Sequence, residues 1–354
     1  MPFDALLGQA RAVSVLAAAL RGGRVAHAYL FEGPEGVGRR MAALSLAQAL
    51  NCEAAAQAEG PSLFGGDDGS DLRARGGCGA CRACRKIAAG QHPDVQTLAP
   101  EGQSGGGVYL VDQIRGLARD LSFRPFEGRR KVAVLERAER LGPVAGNALL
   151  KTLEEPPAES HLVLLAPGRH HLLPTVASRC QVVTFRPLET ADIVAILERE
   201  GVPVGPDGRF DAAAARAAAA LADGSAARAL ALAAENGLAG RREWIERIGR
   251  LTRRRLEEVF EAAEALAADK ERLPAVLDSL RAWLRDLVVT AAAPGAVPLV
   301  NGDLAESARR EAAGRTIEEL TAGLEAVDAA EAALRRNANR TLVVERLLLR
   351  LARP

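Results

Sequence analysis

The stretch His27-Ala28-Tyr29-Leu30-Phe31-Glu32-Gly33-Pro34-Glu35-Gly36-Val37-Gly38-Arg39-Arg40 constrains this chain more than any other. An apolar run, a turn with three glycines and a helix start follow one another without interruption. Gly33 and Gly38, five apart, let backbone amides close round an anion. The spacing predicts a strand, a phosphate-cradling turn and a helix, a unit that belongs in a parallel α/β sheet. Gly33, Gly36, Gly38, Arg39 and Arg40 are its candidate binding residues. Further short runs rich in β-branched residues, at 131–135, 161–166 and 182–185, alternate with helix-like stretches as such a sheet requires.

The chemistry expected of this turn is missing. A working loop carries a lysine after its last glycine to reach the β and γ phosphates, then a hydroxyl that holds magnesium. This chain has Arg39 and Arg40 instead. Arginine keeps the charge, but its longer planar head suits a compact cradle poorly and it has no hydroxyl to give. The partner motif is an apolar strand ending in two carboxylates, one for magnesium and one to activate water. Residues 132–139 supply the strand with Glu136 at the metal position and Arg137 at the base position. Two separate defects predict a site that binds ATP poorly or does not hydrolyse it, and a chain with no catalysis of its own. A self-sufficient ATPase, in which Arg39 still contacts phosphate and Glu136 holds magnesium, is the competing reading; an ordinary glycine turn is the plainest one.

Five cysteines fall into a cluster and one outlier. Cys78, Cys81 and Cys84 stand at two-residue gaps with Cys52 upstream, enough thiolates for a closed tetrahedral zinc site of structural kind. An iron–sulfur cluster or free thiols are the rivals, although no cysteine followed by proline lies downstream as the bacterial ferredoxin run requires. The zinc module spans 52–84, and bound metal takes the place of an apolar core there. Segments 54–77 and 102–107, rich in glycine and small or polar residues, are expected as exposed loops. Cys180 suits a small buried apolar role. His92, beside Pro93-Asp94, is read as packing or capping, and His27 as a satisfied core histidine.

The remainder reads as helix. Residues 190–198, 211–222 and 226–233, the last capped by Ser225, make a small helical lid over 187–236. Beyond a boundary at Asn236-Gly237, residues 241–268, 273–293, 316–336 and 341–351 carry apolar residues at helical spacing, an all-helical collar over 237–354. The α/β domain then occupies 1–186. Lysine plus arginine exceed aspartate plus glutamate by 46 − 45 = 1, and aromatics are 3%, so neither a global positive field nor a stacking platform points to direct nucleic-acid binding. A zinc-dependent nucleic-acid module is therefore disfavoured. No apolar run of membrane-spanning length and no basic-flanked apolar start occur, so the cytoplasm is the expected location and no membrane contact is expected.

Three longer strings add to these motifs: Leu7-Gly8-Gln9, the run Asn147 to Pro157 reading NALLKTLEEPP, and Leu173 to Cys180 reading LPTVASRC. With them the chain resembles the clamp-loader subunits of bacterial DNA polymerase III, a branch of the AAA+ class. The resemblance is strong over 3–186, moderate over 187–236 and weak beyond, apart from 335–351, which looks like the end of that family's collar. It implies a P-loop (RecA-like AAA+) α/β domain with a zinc module, then a lid and a collar. It also implies partners: motor subunits of the tau/gamma kind and a delta subunit in a hetero-pentamer, with sliding clamp and primed DNA reached through the complex. In the family the serine-arginine-cysteine string sets its arginine against nucleotide bound by the neighbouring subunit, and Arg179 matches that residue. Ala166-Pro167-Gly168 lacks the polar residue of hydrolysing members, and Ala227 stands where they carry a second sensing arginine, with Arg228 one step off. The resemblance thus implies a non-hydrolysing subunit that completes a neighbour's site, with a motor-type clamp-loader subunit as the alternative.

Overall fold

The computed structural model describes residues 2–58, 69–101, 107–202, 210–234, 237–270, 272–297, 299–336 and 338–353. They form two compact units, Met1–Asp192 and Ile193–Pro354. Among the described residues no helix is long and apolar enough to cross a membrane.

The first unit is built on five parallel strands: β1 (Ala28–Glu32), β2 (Val95–Leu98), β3 (Lys131–Leu135), β4 (Ser160–Ala166) and β5 (Gln181–Thr184). Their spatial order is β2-β3-β4-β1-β5. Central β1 and β4 are apolar almost throughout and buried, as strands covered on both faces must be. Helices Val111–Ser122 and Pro143–Glu154 cover one face, burying Ile114, Leu117, Leu149 and Leu153 against Leu30, Leu135 and Leu164. β2 escapes the sequence reading because it is a four-residue edge strand, Val-Gln-Thr-Leu, with only its first residue buried.

The expectation of an exposed loop over 54–77 needs correction. Helices Glu53–Ala58 and Gly69–Ala74 occupy its described parts, and Ala55 and Ala74 are buried. Residues 59–68 lie outside the described residues. These helices lack apolar periodicity because small residues pack on sulfur: Ala55 shares a buried cluster with Cys52 and Cys84. In the second expected loop, residues 102–106 are likewise outside the described residues, while Gly107 is buried and an antiparallel bridge joins Glu101 to Val108.

The second unit is helical. Ser225 caps Ala226–Ala234 as expected, its hydroxyl accepting from the Arg228 amide at 3.2 Å. Asn236, expected at a boundary, lies outside the described residues. The single helix expected over 241–268 is two, Gly237–Arg250 and Leu256–Ala268. The break carries no glycine or proline; its backbone pairs instead with Arg353, Arg253 N donating to Arg353 O at 2.7 Å and Arg353 N to Leu251 O at 3.0 Å. The short helix Ala305–Ala312 was not expected. Helices Leu273–Ala292, Ile317–Arg335 and Arg340–Leu351 complete one core through Leu284, Leu287, Leu320, Val327, Leu347 and Leu348. Thr316 and Glu319 cap Ile317–Arg335 reciprocally, at 3.2 and 3.0 Å.

A buried polar staple also holds this unit. Asp286, with no exposed surface, accepts from the amides of Val300 and Asn301 at 3.0 and 2.6 Å and from the Asn301 side chain at 2.7 Å. Arg241, 1% exposed, donates to Asn301 Oδ1 at 2.8 Å and pairs with Asp303 at 2.5 Å. Breaking one partner strands the others without water. Asp286→Ala is expected to destabilise the second unit by about 3 kcal/mol, read as a lowered urea midpoint with intact circular dichroism before the transition. An unchanged midpoint rules the staple out as a stabilising element.

Candidate functional site

The glycine turn lies at the carboxyl edge of the sheet, between β1 and the helix Arg39–Asn51. Gly33 adopts φ 151°, its amide donates to Ala166 O at 3.2 Å, and a Cβ here would meet the Phe185 carbonyl oxygen at 2.3 Å. Gly38 caps the helix at φ 102°, a left-handed angle that favours glycine. Gln9 braces the turn: its Nε2 donates to Val37 O at 3.2 Å and Arg186 O at 2.7 Å, while its Oε1 accepts from Arg186 N at 3.1 Å. Gly33, Gly36, Gly38, Arg39 and Arg40 thus come together in one turn and helix start.

The two expected magnesium positions meet each other. Arg40 Nε lies 2.5 Å from Glu136 Oε1, an oxygen shielded from water. Glu136 is fixed just past β3 by its amide, which donates to Leu98 O at 2.9 Å, and by its carbonyl, 2.6 Å from the Tyr109 hydroxyl. Arg137 follows in a left-handed conformation, φ 48°. Burial lowers the pKa of Arg39, against the attraction of Glu139 and Glu35. A second ion pair at the same edge was missed by the sequence reading. Glu32 ends β1 and receives Arg169 Nη2 at 2.8 Å, Arg169 Nε at 3.2 Å and the Thr184 hydroxyl at 3.0 Å. The Arg169 hydrogen bond chiefly holds the Glu32 carboxyl below its ordinary range. The available signal was an acid ending an apolar strand directly before a glycine turn.

Arg179 follows the short helix Pro174–Ala177 and precedes β5. Its Nη2 pairs with Glu154 Oε1 at 2.7 Å, and its Nη1 donates to Thr175 O at 3.0 Å. Burial pushes the neighbouring Cys180 thiol up to about 12, which leaves it unreactive at neutral pH. Arg228, in the second unit, pairs with Asp278.

The sulfurs of Cys52, Cys78, Cys81 and Cys84 all lie within 4.8 Å of one another. Cys52 directly follows the helix Arg39–Asn51, and Cys81 caps the helix Arg82–Ala88. Backbone amides point at the sulfurs: Cys78 N to Cys52 at 3.4 Å, Cys81 N to Cys78 at 3.2 Å, Cys84 N to Cys81 at 3.5 Å and Ala55 N to Cys52 at 3.5 Å. Such amides favour thiolate, the form that ligates metal. The hydrogen bond from Cys84, then the amides, pulls the Cys52 thiol well down; the same contact and burial push Cys84 up. Four thiolates at this spacing could hold one zinc ion, whose 2.3 Å bonds set tetrahedral edges of roughly 3.8 Å. His92 is buried, its Nδ1 accepting from Asp94 N at 3.2 Å. His27 Nε2 lies 3.1 Å from Leu153 O and His161 Nδ1 lies 2.9 Å from Ala26 O.

A glycine turn at the carboxyl edge of a β2-β3-β4-β1-β5 parallel sheet, followed by a helical unit, defines a P-loop protein of AAA+ build. Residues 8–189 match the family described as DNA polymerase III, delta subunit, and residues 235–353 match DNA polymerase III, delta subunit, C terminal. The chain belongs to this DNA polymerase III delta family, in its delta prime branch. It is 34% identical to DNA polymerase III subunit delta' of Bacillus subtilis over 181 residues, 51% of this chain and 48% of that one. It is 41% identical to subunit delta' of Pseudomonas aeruginosa over 161 residues, 45% and 43% of the two chains. The chain spans about half the length of the curated relatives it matches. A DNA polymerase III gamma subunit-related protein from Thermotoga maritima superposes with TM-score 0.38 at 19% identity, covering 94% of this chain and 97% of that one.

Proposed function

We propose that this chain is a non-hydrolysing clamp-loader subunit that lends Arg179 to ATP bound by an adjacent motor subunit and helps place a sliding clamp on primed DNA. The observation that carries the non-hydrolysing part is the contact between Arg40 and Glu136. A guanidinium occupies the carboxylate that magnesium needs, the hydroxyl that should complete the metal's coordination is absent, and Arg137 cannot serve as a base. Arg179 supports the second part: it is surface-accessible, forked and permanently charged, as a group reaching a neighbour's γ-phosphate must be.

In this reading the chain joins tau/gamma motor subunits and a delta subunit in a cytoplasmic hetero-pentamer and meets clamp and DNA only through that complex. Residues 1–186 form the P-loop domain, 187–236 a lid and 237–354 the collar that assembles the ring. Cys52, Cys78, Cys81 and Cys84 hold a structural zinc ion, which supplies cross-linking rather than chemistry because no coordination position is left for a substrate.

Calorimetric titration of the purified chain with magnesium-ATP tests the first part. The expected result is no saturable magnesium-dependent binding and no phosphate release. Tight binding with turnover makes the chain a self-sufficient ATPase.

A further inference from the structure

We infer that Glu154 is a positioning residue for Arg179, an inference that rests on the role proposed above for that arginine. Glu154 is the last residue of the helix Pro143–Glu154, and Arg179 reaches it from the segment leading into β5. Carboxylate and guanidinium stand 2.7 Å apart, and the other terminal nitrogen of Arg179 donates to the Thr175 carbonyl at 3.0 Å. Two fixed points define the plane of the guanidinium. With a longer contact from Nη1 to the Ser178 hydroxyl at 3.5 Å, three of its five N–H donors are engaged, leaving two for an incoming anion.

Stability does not explain the arrangement. The side chains are 37% and 51% exposed, and pairs so open to water contribute little to folding. Glu154 and the following Glu155 also stand at the negative end of their helix dipole, where an acid is locally unfavourable. What the pair does supply is direction. A free arginine samples many rotamers and must lose them on closing over a phosphate, whereas one held by a carboxylate has lost most of them beforehand.

The test uses the reconstituted loader with motor and delta subunits, clamp and primed DNA, carrying the wild-type chain, Glu154→Ala, Glu154→Gln, Arg179→Ala or the Glu154→Ala/Arg179→Ala pair. Single-turnover ATP hydrolysis, in a ring whose other sites are disabled, and subunit assembly are both measured. Glu154→Ala is expected to lower the hydrolysis rate at this one site about fivefold, with ATP affinity and assembly unchanged. Glu154→Gln keeps an acceptor oxygen and should retain most of the turnover. The double variant should be no slower than Arg179→Ala alone, because a positioning residue has nothing to act on once its arginine is gone. Unchanged or increased turnover in Glu154→Ala, or losses that multiply in the double variant, overturns the inference. If Arg179→Ala itself turns over at the wild-type rate, the arginine-donor reading fails at its own step and the positioning role goes with it. Slow Arg179→Ala beside normal Glu154→Ala removes the positioning role alone.

Discussion

Arg179→Ala is expected to slow ATP hydrolysis at the one site this chain is proposed to complete by about 10³-fold, the lower end of what a guanidinium supplied from a neighbour contributes in phosphoryl transfer. The charge on the γ-phosphoryl oxygens spreads as the bond to the leaving oxygen loosens, and a cation fixed beside them stabilises that state more than the ground state. The loss therefore belongs to kcat. Any site in a reconstituted ring that this chain does not touch is unaffected, so total turnover falls by this site's share, and a single-turnover measurement on a ring with the other sites disabled shows the full effect. Arg179→Lys keeps the charge without the planar fork and should recover part of the rate. Assembly should be intact in both variants, since the side chain is exposed and its contacts are local. Turnover equal to wild type in the single-turnover experiment removes the role.

The second large effect concerns the cysteine cluster. Metal analysis of the purified chain is expected to find one zinc per chain, and Cys84→Ser, at a fully buried ligand, to abolish it. Structural zinc contributes on the order of 10 kcal/mol to the folding of the segment it closes. The helices Glu53–Ala58, Gly69–Ala74 and Arg82–Ala88 are short, and little apolar surface besides the sulfur cluster holds the first of them. Limited proteolysis should therefore open residues 53–88 in the variant while the strands stay protected. Iron in place of zinc, or equal protease resistance with and without metal, contradicts the assignment.

Some of this was legible in the sequence for identifiable reasons. The glycine turn could be read because its backbone angles demand glycine at Gly33 and Gly38. The four cysteines could be read because ligand spacing is set by metal geometry. Arg40 and Glu136 could each be named as defects, but their contact could not, since no local rule pairs residues so far apart along the chain. Glu154 was visible only as part of a longer string. β2 was missed because an edge strand need not be apolar. The break between Arg250 and Leu256 was missed because its hydrogen-bond partner, Arg353, lies far along the chain, beyond the reach of any local pattern.

The closeness of the four sulfurs has a practical side. Thiols close enough to share one ion can also be joined as disulfides once an oxidant such as dissolved oxygen takes up the two electrons and two protons that each bond releases. A preparation treated with chelator in air is expected to gain covalent cross-links among these cysteines. Adding zinc back would then fail until a reductant had first reopened the pairs, so the order of reagents decides whether the chain can be restored.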